Sequence, residues 1–301
     1  LFRSPEMKMS SDATTVSSDK DLDIPALCKY AESKGIGLMV YVNQRALVQQ
    51  LDILLPLYKK WGLKGIKFGF VQIGNQRWST WLHDAVRKCG EYNLMVDIHD
   101  EYRPTGFSRT YPNLMTQEGI RGNEEMPDAT HNTTLPFTRY LAGAGDYTLC
   151  YFNNRVKNTK AHQLAMAAVY YSPLQFMFWY DRPEFYQGEE ELEFWKAIPS
   201  VWDDSRALDG EIGEYIVQAR RSGNDWFVGA MTNTEARTIT LTTDFLEPGK
   251  KYMLHLYEDD DKLNTRTKVR STHKKIKAGD KLVLKLKASG GAALHFTPLK
   301  K

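Results

Sequence analysis

The feature that most constrains the fold is an alternation of helical stretches and short apolar runs between about residues 22 and 200. The runs at 37–43, 65–72 and 94–100 are apolar almost throughout, as expected for parallel strands that are covered on both faces. Repeats of this kind predict βα units around a parallel sheet. With further runs at 146–152 and 176–180 that we also predict as strands, we count about five or six units, which is fewer than the eight of a closed (β/α)8 barrel.

The helical signal stops after about residue 210, and short strands separated by turns follow. This pattern predicts a small antiparallel sheet domain, most simply a β-sandwich. The fold class is therefore α/β plus all-β, with part of a (β/α)8 TIM barrel followed by an antiparallel β-sandwich. We place the partial catalytic barrel at residues 1–205 and the C-terminal β domain at residues 206–301.

Composition and motifs exclude several classes of protein. With 42% hydrophobic residues the chain of 301 residues can bury a large core, yet no apolar stretch approaches the roughly 18 residues of a membrane span. The 3 cysteines lack metal-binding or disulfide spacing, so we expect buried thiols. The sequence also lacks the glycine-rich nucleotide loops, HExxH and GxSxG.

The net charge of +3 hides a basic C-terminal region. From Glu247 to the end there are 14 basic and 6 acidic residues. Such a region can bind an anionic polymer such as nucleic acid. The lysines between Lys281 and Lys287 partly alternate with apolar residues, however, which favours the solvent face of a strand. We therefore expect no nucleic-acid partner.

The densest chemical signal follows the third apolar run, where His99 lies near the strand end and several carboxylates lie in a long loop. The carboxylates are Asp100, Glu101, Glu118, Glu124 and Glu125. Parallel barrels place catalytic groups at this end of their strands. Clustered carboxylates suit either paired acid/base chemistry or a hard cation such as Ca²⁺. Three aromatic residues of the same loop are candidates for stacking on sugar rings, namely Tyr102, Phe107 and Tyr111.

Several motifs in one order resemble glycoside hydrolase family 97, a family of bacterial calcium-dependent α-glucosidases and α-galactosidases. They are residues 99–106, 109–113, 118–124, 135–139 and 145–148. The resemblance implies an N-terminal β-sandwich, a central barrel and a C-terminal β domain. This chain matches only from about the third barrel strand onward, so we expect a fragment without the N-terminal part. An open barrel needs a missing N-terminal chain or a homo-oligomer to cover it.

The resemblance also implies roles for individual residues. Glu124 matches the general acid, and Asp100 lies where inverting members carry a glutamate general base that also touches calcium. Glu118 matches another calcium ligand, and Glu124 lies close to the metal as well. His99 and Lys67 match positions that contact the sugar. Asp100, Glu118 and Glu124 are thus the expected metal ligands, and Ca²⁺ is the expected cofactor.

The retaining branch of the family carries an aspartate nucleophile at the position of Gly69, which has no side chain. We therefore expect an inverting, Ca²⁺-assisted, exo-acting α-glycosidase that hydrolyses terminal α-linked glucose or galactose. An inverting pair needs about 6.5–9.5 Å between its carboxyl groups. Glu101 could replace Asp100, but adjacent residues at a strand end point to opposite sides. A retaining reaction rescued by an external nucleophile in the Gly69 gap is an alternative.

Two other functions stay open from the sequence alone. One is a catalytically incompetent fragment that binds sugar, and the other is an anionic-polymer binder that uses the basic C-terminal domain. The expected partner is an oligosaccharide or polysaccharide substrate, with no membrane span. By resemblance the protein is periplasmic or associated with the cell envelope.

Overall fold

The computed structural model describes residues 22–299 and divides them into two compact units. The first unit comprises residues 22–120 and Ala142–Asp146, and the second comprises Arg121–Leu141 and residues 147–299. Residues 1–21 of the predicted barrel domain lie outside the described residues, as do the last two residues of the chain. The boundary between residues 205 and 206 stays a prediction.

The first unit is built from four strands and three α-helices. The helices are α1 (Ile24–Ser33), α2 (Gln44–Trp61) and α3 (Gln76–Glu91), and a short 3-10 helix covers Phe107–Arg109. The strands are β1 (Met39–Asn43), β2 (Gly65–Gly69), β3 (Met95–Ile98) and β4 (Leu114–Gln117). They form one parallel sheet in the order β1-β2-β3-β4. The predicted barrel-type α/β arrangement is confirmed.

Each helix of this unit begins at a side chain that accepts a backbone hydrogen bond. Asp23, Asn43 and Asn75 accept from N–H groups at the start of α1, α2 and α3, at 2.8–3.0 Å. Such caps satisfy donors that a helix leaves unpaired. Asn43 is also the last residue of β1, so the strand turns directly into α2. At the other end, α2 stops at Gly62, whose φ of 90° suits glycine.

The two faces of the parallel sheet differ in chemistry. One face packs on the helices through a buried apolar core, which includes Val40, Val42, Ile66, Phe68, Val96 and Ile98. The alternate residues point to the opposite side. We call that side the polar face; it carries Tyr41, Asn43, Lys67, Gly69, Asp97 and Thr116.

The second unit contains three α-helices, four 3-10 helices and eight strands. Its helices are α4 (Ala129–Thr134), α5 (Lys160–Val169) and α6 (Glu193–Ala197), with 3-10 helices at Leu135–Phe137, Arg139–Leu141, Pro183–Phe185 and Glu190–Leu192. Its strands are β5 (Asp204–Glu211), β6 (Tyr215–Ser222), β7 (Asp225–Thr232), β8 (Arg237–Thr242), β9 (Lys251–Asp259), β10 (Val269–Lys277), β11 (Lys281–Leu286) and β12 (Gly291–Pro298). They form a six-stranded sheet, β10-β9-β12-β7-β6-β5, and a two-stranded sheet, β11-β8. All of these pairs are antiparallel.

The two sheets of the second unit enclose an apolar core, as predicted for a sandwich. Leu282 and Leu284 of β11 contribute to it together with Leu254 of β9 and Phe296 of β12. Along β11 exposed and buried residues alternate strictly, and both of its lysines are exposed. The solvent-face interpretation of this lysine-rich segment is thus confirmed.

Helix α5 packs closely on the six-stranded sheet and is buried along its length from Ala161 to Val169. A Cβ on Gly229 of β7 would lie 2.4 Å from the Ala165 carbonyl oxygen. Glycine is therefore needed there because helix and strand backbones approach each other.

Two segments predicted as strands, 146–152 and 176–180, are not strands. They exchange two backbone hydrogen bonds, Leu149 N to Phe176 O at 2.8 Å and Trp179 N to Leu149 O at 2.9 Å. Thr148 and Phe178 have φ values of 56° and 58°, which interrupt an extended backbone. Within residues 22–299 the parallel sheet thus has four strands. No helix in this range is long and apolar enough to cross a membrane.

Candidate functional site

A buried ion pair lies on the polar face of the parallel sheet. The register pairs Lys67 of β2 with Asp97 of β3, and Lys67 Nζ lies 2.9 Å from Asp97 Oδ2. Both side chains are fully buried. A buried charge is costly unless it is paired. The strand register provides that partner, because it places Asp97 beside Lys67.

Asp146 completes this cluster from a distant part of the chain. Its backbone N–H donates to Gln117 O at 3.0 Å, which fixes residues 142–146 against β4. Its carboxylate accepts from Lys67 Nζ and lies 2.7 Å from His99 Nε2. The other ring nitrogen of His99 lies 3.4 Å from Glu118 Oε2. We call Lys67, Asp97, His99 and Asp146 the buried network.

The two carboxyl groups of the buried network differ in their electrostatics. Burial tends to raise the pKa of Asp146, but the Lys67 ammonium and the His99 hydrogen bond hold it below its usual range. Burial raises the pKa of Asp97 well above its usual range, because Lys67 opposes the effect only in part and the Asp146 carboxylate adds to it. Burial also disfavours the Lys67 ammonium, yet the two aspartates raise the Lys67 pKa overall. The network therefore holds an ionised Asp146 beside a protonated lysine.

Asp100 adopts an unusual backbone conformation at the end of β3. Its φ is 66°, in the left-handed region, and Phe70 after β2 has a φ of 53°. Aspartate adopts this region more readily than most residues, and eight non-glycine residues within 22–299 do so, so the hydrogen bonds of Asp100 matter more than its φ. The Asp100 carboxylate accepts from the Val71 N–H at 2.8 Å, so it is directed toward the end of β2.

Glu118 fixes Asp100 from the neighbouring strand. Its Oε2 accepts the Asp100 N–H at 2.7 Å, and its own N–H donates to Ile98 O at 2.8 Å. The next residue, Gly119, has a φ of 53°, and a Cβ there would lie 2.5 Å from the Tyr102 carbonyl. Glu118 thus holds the backbone of Asp100 in place, while the Asp100 carboxylate is directed toward Val71.

Glu124 lies on a loop of the second unit. The preceding Asn123 is buried and anchors the loop through its N–H to Tyr147 O at 2.9 Å and through its side chain to Gln163 at 2.8 Å. The Tyr180 hydroxyl donates to Glu124 Oε1 at 3.5 Å. The predicted general acid is therefore a half-buried carboxyl group on an anchored loop.

The neighbouring acidic residues are less suited to catalysis. Glu101 is exposed, and Glu125 is exposed and paired with Arg121 at 2.8 Å. Both observations favour the assignments to Asp100 and Glu124, which stay predictions.

The expectation that loop aromatics stack on sugar is not supported, because they pack on α3. Tyr102 is buried, and its hydroxyl lies 2.9 Å from His83 Nε2. Phe107 stacks on the His83 ring at 4.0 Å between centroids, and Tyr111 packs on Phe107. These side chains extend the apolar core of the first unit.

Sequence reasoning missed two members of the buried network, Asp97 and Asp146. A signal for Asp97 was present, since a charged residue interrupts an otherwise apolar strand that neighbours the strand of Lys67. Asp146 was taken as the start of a strand and gave no such signal. Its partner Lys67 lies 79 residues earlier in the sequence.

A parallel α/β sheet with carboxylates after its strands, followed along the chain by an antiparallel sandwich, is typical of the class of barrel-type enzymes, which carry many chemistries. Sequence comparison is specific within this class. The model described as glycoside hydrolase 97 matches residues 3–120, and the one described as the glycosyl-hydrolase 97 C-terminal, oligomerisation region matches residues 201–297. The chain belongs to glycoside hydrolase family 97, as the sequence motifs indicated.

Individual relatives agree with this assignment. A retaining α-galactosidase of Bacteroides thetaiotaomicron is 32% identical over 299 residues, which cover 92% of this chain and 45% of the relative. A probable retaining α-galactosidase of Streptomyces bingchenggensis is 31% identical, covering 91% and 44%. A family 97 enzyme from Pseudoalteromonas sp. strain K8, solved with acarbose, has a TM-score of 0.85 at 33% identity, covering 93% and 50%. The chain thus spans about half the length of these relatives.

Proposed function

We propose that the protein is an exo-acting α-glycosidase that hydrolyses terminal α-linked glucose or galactose with inversion. The observation that carries this proposal is Asp100, whose strained backbone and side chain are each held by a hydrogen bond at the end of a parallel strand. The names of the relatives support the substrate class: α-galactosidases, and an enzyme solved with panose or acarbose.

Inversion is proposed although the two curated relatives are named retaining. Retention in most glycosidases needs a carboxylate nucleophile. At the matching position this chain has Gly69, which has no side chain. A single displacement by water needs no such group.

In the proposed reaction Asp100 accepts a proton from a water molecule while the water oxygen bonds to the anomeric carbon. The bond between that carbon and the glycosidic oxygen breaks, and Glu124 donates a proton to the departing oxygen. The first sugar product then has the β configuration. General acid and base groups of this kind each contribute about 10²–10⁴-fold to the rate.

The buried network supports sugar binding in this proposal. Lys67 and His99 are the proposed sugar contacts, although both are buried in this structure, and Asp146 fixes the orientation of both side chains through its two hydrogen bonds. Because the network excludes water, its hydrogen bonds are stronger than exposed ones would be.

We also propose that Asp100, Glu118 and Glu124 hold Ca²⁺. Carboxylate oxygens are the ligands that this hard cation prefers, and Asp100 and Glu118 are already joined through the Asp100 N–H. When bound, the cation would offset the charge of the carboxylates and orient oxygen atoms of the substrate.

Stereochemistry tests the proposal directly. Proton NMR of the first product from aryl α-glucoside and aryl α-galactoside should show the β-anomer, and a chelator should suppress it. Asp100→Asn and Glu124→Gln should each lower kcat by about 10²–10⁴-fold. Glu101→Gln and Glu125→Gln are matched controls, since both residues are exposed, and should change kcat less than about twofold. An α-anomer as first product, or full activity of Glu124→Gln, would contradict the proposal. Sugar binding without turnover would favour a binding fragment.

Location and assembly are further parts of the proposal. By family resemblance we place the protein in the periplasm or at the cell envelope, which fractionation of the source cells tests. We propose that a further segment of a longer chain, or a second copy, covers the open edge of the parallel sheet, since β1 lies at the end of the four-stranded order. If a second copy covers the edge, light scattering of this chain should show a dimer. If a segment of a longer chain covers it, the protein isolated from its source should have a larger mass than this chain.

A further inference from the structure

Glycine is present at position 69 because there is no room for a side chain, not because of its backbone conformation. It ends β2 on the polar face, and its φ lies outside the left-handed region that favours glycine. Any residue could therefore adopt its backbone. A Cβ built on Gly69 would instead overlap the ring and hydroxyl of Tyr41.

Tyr41 reaches this position from the neighbouring strand. The register pairs Tyr41 with Lys67 and Asn43 with Gly69. The Tyr41 ring therefore reaches two residues along β2, from the level of Lys67 to that of Gly69. Tyr41 is buried, and its ring packs edge-on against Phe70, the left-handed residue that follows Gly69. The Tyr41 hydroxyl thus occupies the place of the first atom of a side chain at position 69.

We propose that Tyr41 is the residue that excludes a nucleophile from position 69 and so decides the stereochemical course of the reaction. This inference rests on the proposed glycosidase function. A phenol at the end of β2 is uncharged and fills the space that a carboxylate would need. While Tyr41 keeps this position, a side chain at position 69 must displace its ring; without Tyr41, the position can carry an acidic side chain.

The converted enzyme would work by double displacement. In Tyr41→Ala/Gly69→Asp, the introduced carboxylate oxygen would bond to the anomeric carbon as the glycosidic bond breaks, with Glu124 protonating the departing oxygen. Water would then attack the same carbon, release the carboxylate and return a proton to Glu124. The product would keep the α configuration.

A double-mutant cycle in thermal stability tests the steric part without requiring activity. Gly69→Asp alone should lower the apparent Tm by several degrees, because inserting atoms into a packed site is destabilising. In the Tyr41→Ala background the same change should cost much less, so the two effects should not add. Met39→Ala is the matched control background, since Met39 lies on the same face of β1 but contacts Gly65, where a Cβ would lie 2.8 Å from its Cε. There the effects should add.

The anomeric configuration of the first product, followed by proton NMR, tests the functional part. We expect a β-anomer from the unaltered protein and an α-anomer from Tyr41→Ala/Gly69→Asp. Additive Tm changes, or a double variant that yields only β-anomer or no product, would overturn the inference. Failure of the proposed function is distinguishable, because the unaltered protein would then release no sugar while the stability cycle still reports whether Tyr41 and position 69 compete for space.

Discussion

One ion pair from each unit illustrates two different environments for charged side chains. The parallel sheet of the first unit buries Lys67 completely between Asp97 and Asp146. In the second unit the pair of Lys287 with Asp261 lies at the surface, with side chains 38% and 70% exposed. The core between the two sheets of that unit is built from aliphatic and aromatic side chains.

This difference separates groups kept for stability from groups kept for function. Moving an ion pair out of water costs several kcal/mol, and well-packed apolar residues of similar size often stabilise a protein equally well. The core between the two sheets of the second unit is packed with apolar residues in this way. The first unit differs: its buried charges lie on the polar face, which also carries Gly69, and Asp100 lies two residues beyond the end of β3. Their burial is best explained by the chemistry of the site.

The largest expected effect comes from removing the buried cation. Lys67→Met leaves two buried carboxyl groups without their ammonium partner and should lower the free energy of unfolding by about 3–5 kcal/mol. Chemical denaturation followed by tryptophan fluorescence measures it. Lys64→Met, three residues earlier and exposed, is the control and should change stability by less than about 0.5 kcal/mol. A loss below about 1 kcal/mol for Lys67→Met would show that the network is not a tightly coupled buried cluster.

An intermediate effect is expected from pH in the second unit, where His162 is fully buried with Nδ1 3.0 Å from Gly290 O. Burial lowers the pKa of His162 from 6.5 to about 4. The unfolded state therefore binds the proton first, and stability should be complete above about pH 6.5 and fall as the pH drops toward 4. At pH 5.5 the loss should be about 1 kcal/mol, measured by denaturation across this range.

Asp259 supplies an opposing control in the same unit. Its carboxylate accepts from Thr159 Oγ1 at 2.7 Å, and burial raises its pKa from 3.8 to about 6. Its contribution is present below its unfolded pKa and is lost as the pH rises through 6, so acidification from pH 6 to 4 favours folding through this group. His162→Gln should flatten the acid loss, whereas Asp259→Asn should steepen it. Equal slopes in both variants would contradict the assignment.

The smallest effect is expected at the exposed pair. Lys287→Ala should cost less than about 1 kcal/mol, because water and salt screen the attraction between Lys287 and Asp261. Comparing its free energy of unfolding at low and high salt with that of Lys67→Met gives the sharpest contrast between the two units. A cost for Lys287→Ala as large as that for Lys67→Met would remove the distinction drawn above.

The strands that the sequence predicted correctly share a physical property. β2 and β3 are buried on both faces, so their apolar runs are nearly continuous. β5, β6 and β10 were not among the predicted strands, and β5 and β10 lie at the two ends of the six-stranded order, whereas β6 lies inside it. Edge strands carry charged and polar residues that resist further pairing, which weakens their hydrophobic signal. β4 was missed because four residues inside a polar loop give no detectable period.

The sequence alone determined the βα order, the acidic loop with Asp100, Glu118 and Glu124 that follows the third apolar run, and the family to which these motifs belong. These features depend on residues that are close in sequence and on local periodicity. Only the tertiary structure decided that Asp146 joins Lys67 and His99, and that Tyr41 fills the space beside Gly69. Both depend on strand register and on the return of a distant segment, which arise from the packing of the whole unit rather than from any local pattern.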